Sequence, residues 1–286
     1  MSDNNWPSRC VAAGPVPGRV PDLAHRLWQA TARRSAVVVL LLLWQLWAMS
    51  AHSIFFPPPL RILSDAGRLW LSGPANHFYM TEGVFRDVLP SIGRMAAGWA
   101  IAVLVGTSTG ILIGRSRFVS DLAFPAIEFL RSLPSPALIP VFLIFLGTGS
   151  EMRIILIAFG SVWPILLNTI DAMLTIDAVQ IDLARVLKLP LRARLFRVML
   201  PSALPKIFAG MRIALAISLI LMVVSELVAS TSGIGNRIAN AQEIFRFTDM
   251  WAGIVLLGLV GLLLDGLFST VEARILNWHR QARQRA

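Results

Sequence analysis

The sequence predicts an all-α polytopic membrane protein of about six transmembrane helices, and three observations predict it. Of its 286 residues, 56% are hydrophobic and only 15% charged, too apolar a balance for a soluble domain whose surface is clothed in charge. Apolar runs long enough to cross a bilayer recur along the chain. Basic residues outnumber acidic ones 26 to 16, and they sit in short blocks beside those runs, as membrane topology demands; this sets nucleic-acid binding aside.

Residues 1–34, rich in Pro, Gly and Arg, lack an apolar periodicity and are expected to form a disordered cytoplasmic tail ahead of a transmembrane domain over 35–286. Cys10 is the single cysteine, so an internal disulfide or thiolate metal cluster is impossible. The first apolar run, SAVVVLLLLWQLWAMSAHSIFF, is as long as a span requires and reads as an uncleaved anchor, despite a faint cleavage-site pattern at Ala48-Met49-Ser50. Further spans are expected at about 91–115, 122–147, 152–174, 207–230 and 250–275. Arginines cluster in the tail, at Arg115 and Arg117, over 182–207 and from Arg274 onward, all in alternate connections. The positive-inside rule puts those connections and both termini in the cytoplasm.

In the second span Gly98, Ala102, Gly106, Gly110 and Gly114 recur every four residues, and Gly210, Ala214 and Ser218 repeat the pattern in the fifth. Such stripes are expected to serve helix packing within the bundle. The third segment is broken by Pro134, Pro136 and Pro140, so it either borders a wet pathway or is an interfacial helix leading into a shorter span. Between the first two spans, Leu60, Ile62, Leu63, Leu69, Trp70 and Leu71 outline a short amphipathic helix at the interface. Ionisable residues in spans are functional candidates by default. Glu128 and Arg131, three apart, are expected either to pair or to line a pathway; Glu226 is expected to snorkel to water near its span's outer end, and Asp265 falls in the sixth. Glu128, Arg131, Pro134, Asn168 and Glu226 are the translocation-pathway candidates.

Enzyme signatures are missing. Lys188 precedes Leu and Lys206 precedes Ile, so there is no phosphate-binding G-x-x-x-x-G-K-[ST] loop. His25, His52, His77 and His279 are scattered without ligand spacing, and there is no G-x-S-x-G elbow. No catalytic residue, metal or cofactor is expected.

The stretch DLARVLKLPLRARLFRVMLPSALPKI, residues 182–207, carries six basic residues between two apolar runs. It divides at Lys188-Leu189-Pro190 into two short helices, either a protruding docking element or a basic loop on anionic lipid. In its spacing it resembles the EAA coupling loop of ABC importer permeases. Asp182 stands for the acid, Leu183 and Ala184 for the two alanines, Lys188 for the glycine, Val198 for the aliphatic, and Leu200-Pro201 for the closing pair. The resemblance extends over about residues 55–275 to the nitrate, sulfonate and taurine branch. Ser91, Arg94 and Gly98 look like its entry to the second span, LRSLPSPALIPVFLIFLGTG and FGSVWPILLNTIDAM (which holds Asn168) like its third and fourth, and VVSELVASTSGIGNRI like the end of its fifth.

Two departures stand out. Lys188 replaces the family's glycine, and Pro190 is expected to supply the break in its place. Asp182-Leu183 shortens the acid and enlarges its neighbour. The resemblance implies a bacterial cytoplasmic-membrane permease that works as a homodimer or with a paralogue. Its coupling loop, about residues 177–206, would dock on separate cytoplasmic ATPase subunits, and an extracytoplasmic solute-binding protein would deliver nitrate, an alkanesulfonate or taurine. Related permeases carry neutral vitamin precursors, and an ATP-independent channel or carrier is the reading of another class; it calls for inverted repeats, of which the sequence offers no convincing example.

Overall fold

The computed structural model describes residues 23–74 and 79–277, and every regular element among them is helical. Two units are distinguished, residues 1–53 and 54–286. The first contains α1 (Leu23–Ala51), which begins well before the tail boundary expected at residue 35. From Leu23 to Ala51 the chain holds neither Gly nor Pro, so nothing interrupts the helix. The tail residues 1–22, and Arg280, Arg283 and Arg285 of the C-terminal basic block, lie outside the described residues.

In the second unit, α2 (Pro59–Leu71) is amphipathic as expected: Ile62 and Trp70 are buried, and Leu60, Leu63 and Leu71 are exposed. It packs against the last of the described long helices, Phe247–Ile275. A wide, π-helical turn, Val84–Val88, leads without a break into α3 (Leu89–Gly114). Next come α4 (Arg117–Ser132), a 3-10 turn (Ser135–Leu138) and α5 (Ile139–Leu146), with a bend of 78° at the break. The bend falls where the prolines demand it: Leu133, driven from helical geometry by Pro134, is extended at ψ 120°.

At the centre lies α6 (Ser150–Leu174), followed by α7 (Ala178–Val186), α8 (Leu191–Arg194) and a second wide turn, Leu195–Met199. This turn continues into α9 (Leu200–Ala229); α10 (Ile234–Glu243) and α11 (Phe247–Ile275) complete the unit. Four stretches, 84–114, 150–174, 191–228 and 247–275, are long and apolar enough to cross a membrane, and the bent α4–α5 pair makes a fifth. The apolar part of α1, Ser35–Ala51, is shorter, so the described residues hold four to five candidate spans where about six were expected.

Both small-residue stripes face α6. A Cβ placed on Gly98 would lie 2.7 Å from Ile157 Cγ2, on Gly110 2.6 Å from Thr169 Cβ, and on Gly114 2.7 Å from Met173 Cβ. One at Gly210 would meet the Pro164 carbonyl oxygen at 2.8 Å. The stripes therefore let α3 and α9 approach α6 at backbone distance, and dispersion contacts replace the hydrophobic effect that lipid cannot supply. These pairings also fix direction. Contacts between α3 and α6 rise together in residue number, so the two helices run parallel; α9, which meets α6 through Leu221–Gly160 and Gly210–Asn168, runs antiparallel. Parallel neighbours require the chain between them to recross the membrane, and α4–α5 is the segment that does so. Asp265 is tied to Arg212 by two hydrogen bonds of 2.9 Å between α11 and α9, and Phe208 and Phe268 share a core cluster with Leu276.

Candidate functional site

The coupling-loop candidates and Glu226 lie toward opposite ends of α9. At its start stands the basic hairpin. Asp177 caps α7 by accepting the Val179 N–H at 2.9 Å. At the far end of α7, Leu189 N–H donates to the Ala184 carbonyl at 3.1 Å and Lys188 N–H to that of Arg185 at 2.9 Å. This doubled closure is a Schellman motif with Lys188 at the position that is left-handed and usually glycine. Lys188 adopts φ +51°. The expectation that Pro190 would take over the break is thus corrected: the left-handed turn persists at Lys188, and Pro190, at φ −62° and ψ 155°, starts α8.

Pro201 enters α9 in its first turn, after the wide turn in which Leu200 N–H reaches back to the Leu195 carbonyl. Val198 and Leu200 lie along that junction and are part-buried. The hairpin is fastened to the bundle by Ser202–Gln180 at 2.8 Å and by Lys206, which donates to Asp171 at 2.7 Å and to Thr175 at 2.9 Å. Ala184 is buried, whereas Asp182 and Leu183 are exposed. Asp182 pairs with Arg185 at 3.0 Å. Val179, Leu183 and Val186, at 71%, 58% and 77% exposure, fall within about 60° of one another around α7. They form an uncovered apolar stripe.

At the other end of α9, about 38 Å away at 1.5 Å per residue, lies a buried polar latch. Glu226 is 1% exposed, which corrects the expectation that it snorkels to water. Its Oε1 accepts from Ser91 Oγ at 2.6 Å and Arg94 Nη1 at 2.9 Å, and its Oε2 from the Gly235 N–H at 3.0 Å. Ser91 Oγ in turn accepts the Ile234 N–H at 3.2 Å. Arg94 also donates to Ser150 at 3.1 Å and Ser232 at 3.3 Å. The loop wraps the carboxylate closely: Gly233 has φ +122°, and a Cβ there would sit 2.3 Å from Glu226 Cδ. Only glycine satisfies both conditions.

Ser91, Arg94 and the segment around Glu226, separate stretches in the sequence, are therefore parts of one structure. Sequence reasoning missed Asp87 and Arg237. Asp87 accepts from the Gly233 N–H at 3.2 Å and Arg237 Nη1 at 3.1 Å, and Arg237 lies 4.6 Å over the Trp70 ring. The spacing of Asp87, Ser91 and Arg94 on one helical face was the available signal.

The remaining pathway candidates stand elsewhere. Glu128 and Arg131 join at 2.7 and 3.0 Å on an exposed face of α4. Asn168 donates to the Pro164 carbonyl at 2.7 Å, where α6 meets α9. Pro134 forms the bend. Among the described residues there is no group of three or more His, Cys, Asp or Glu able to hold a metal.

Residues 102–277 match the family described as binding-protein-dependent transport system inner membrane component. The chain is 37% identical over 231 residues to a bicarbonate transport system permease protein of Synechocystis, covering 79% of this chain and 81% of the relative. It is 32% identical to a putative aliphatic sulfonates transport permease protein of Bacillus subtilis, covering 84% of each. To the taurine transport system permease protein of Escherichia coli it is 29% identical, covering 88% of this chain and 90% of that one. Among solved structures, an inward-facing form of the MetNI methionine ABC transporter shares the fold at TM-score 0.58 and 20% identity, over 68% of this chain and 99% of the other.

Proposed function

Because the chain belongs to the family of binding-protein-dependent transport system inner membrane components, we propose that it is the permease subunit of an ATP-driven importer for a small anion. The hairpin carries this reading. It projects from the start of α9 with its apolar stripe uncovered, and it keeps the coupling-loop register from Asp182 to Pro201. ATP hydrolysis belongs to separate subunits that hold this stripe, and a solute-binding protein docks at the latch end. Two copies, or one copy and a paralogue, enclose the pathway, with both termini in the cytoplasm. Closure of the ATPases moves the hairpins together, and α9, rigid over about 45 Å for its 30 residues, carries that movement to the latch.

The solute is a nitrate, bicarbonate, sulfonate or taurine type of anion. The relatives named for bicarbonate, aliphatic sulfonates and taurine support this class.

Affinity purification of the full chain from its native membrane in mild detergent tests the reading. A stoichiometric co-purifying ATPase with a phosphate-binding loop, and anion uptake into liposomes only with ATP and binding protein, are expected. A chain that purifies alone and passes anions without ATP overturns it in favour of a channel or carrier.

A further inference from the structure

Behind the hairpin, where α3 ends, a cavity of about 450 Å³ is rimmed by Arg115, Arg185, Arg192 and Arg194. Its floor is apolar, from Ile181, Leu195 and Met199, and no carboxylate lines it. Asp182 answers only Arg185. Arg194 Nε is buried without a hydrogen-bond partner. With Arg185 paired, the three remaining guanidiniums at the cavity repel one another unless an anion sits among them.

Depth and neighbours indicate which anion. Arg115 directly follows Gly114, the last residue of a helix long and apolar enough to cross a membrane, which puts the rim near a membrane surface. Leu191, which lines the cavity, is 66% exposed, and Leu112, Phe118 and Leu122, near Arg115 in the chain, are exposed apolar residues as well. A free inorganic anion needs no such surface, but acyl chains do. On α7, Ile181 and Arg185 lie roughly half a turn from the stripe of Val179, Leu183 and Val186. An ATPase on that stripe leaves the cavity uncovered.

We propose that this cavity is a headgroup site for an anionic phospholipid, which ties the back of the hairpin to the membrane surface. Basic pockets between membrane helices suit such headgroups. The inference uses the proposed ATPase docking only to say which face of α7 is covered.

The test is native mass spectrometry of the full chain, released from micelles containing phosphatidylglycerol or phosphatidylcholine. Wild type is expected to retain one phosphatidylglycerol per chain in preference to phosphatidylcholine. R192Q/R194Q is expected to weaken that retention by about fivefold per arginine, about twenty-five-fold for the pair, whereas R192K/R194K, and R274Q on exposed α11, retain it. The thermal midpoint of each variant reports folding, and the lysine pair separates lost charge from lost structure. Equal retention by wild type and R192Q/R194Q, or equal retention of the two lipids by wild type, overturns the proposal. So does displacement of the lipid by millimolar inorganic phosphate, which marks a free-anion site. If R192Q/R194Q keeps phosphatidylglycerol but loses the ATPase, the arginines read the protein partner, and the proposal is again overturned. Selective retention by a chain that binds no ATPase upholds the lipid site while the importer reading fails.

Discussion

Glu226 shows how strongly one residue depends on its surroundings. With its side chain 0% exposed and that of Arg94 11% exposed, the pair is largely withdrawn from water. Breaking such a pair by removing one partner costs about 3–5 kcal/mol, because the other remains buried without a counter-charge. Glu226→Gln is therefore expected to lower the thermal midpoint markedly in detergent. The double variant R94M/E226L is expected to lose less than the sum of R94M and E226L, since a buried ion pair and an apolar pair of similar volume are nearly equivalent. Simple additivity would show that the two side chains do not act as a unit. The latch was only partly legible in the sequence. Ser91 and Glu226 lie 135 residues apart, and an acid near a helix end looks the same whether it reaches water or an arginine. Gly233 and Gly235 were the clue, as their crowding leaves no room for a side chain against the carboxylate.

The helices themselves were largely readable, because a bilayer admits few alternatives to a long apolar helix. Pro134, Pro136 and Pro140 announced the bend between α4 and α5, and the glycine stripes announced the faces that meet α6. The hairpin turn was not readable. Lys188 and Pro190 both offered a break, and which one the chain uses depends on two backbone hydrogen bonds that no residue type reveals. Holding lysine at φ +51° strains the turn by about 1 kcal/mol relative to glycine. Lys188→Gly is accordingly expected to slow amide exchange at Leu189 by about fivefold, through fewer local openings. Unchanged exchange would show that the turn is not strained. The segments VFRDVLPS and LFRVMLPS, residues 84–91 and 195–202, were also overlooked. They share F-R-x-x-L-P-S, and each forms the wide turn that opens α3 or α9. This is a reused helix entry on two antiparallel helices, not a repeat of whole bundles.

At the scale of the molecule, α3, α6 and α9 form a rigid slab, with the hairpin at one end and the latch at the other. The Asp182–Arg185 pair is about two-thirds exposed on both sides, and such pairs add little to stability. Replacing residues on the outer face of α7 should therefore spare the bundle. Leu183→Glu, which puts a charge into the exposed stripe, and Asp182→Ala are both expected to leave membrane insertion and the thermal midpoint unchanged while ATP hydrolysis is uncoupled from uptake. Normal uptake by both variants would remove α7 from the coupling role.

The wide turns also set an angle. Each contains one residue more than an α-helical turn of the same reach, so everything before it is rotated by about 100° relative to a continuous helix. Loss of a single residue from Leu195–Met199 would leave the hydropathy of the chain almost untouched, yet it would swing the hairpin around the axis of α9 and aim its apolar stripe away from any partner approaching from below. The length of this five-residue segment is therefore under tighter constraint than its composition, and natural variation there should appear as exchanges of one residue for another, with insertions and deletions kept to the loops outside.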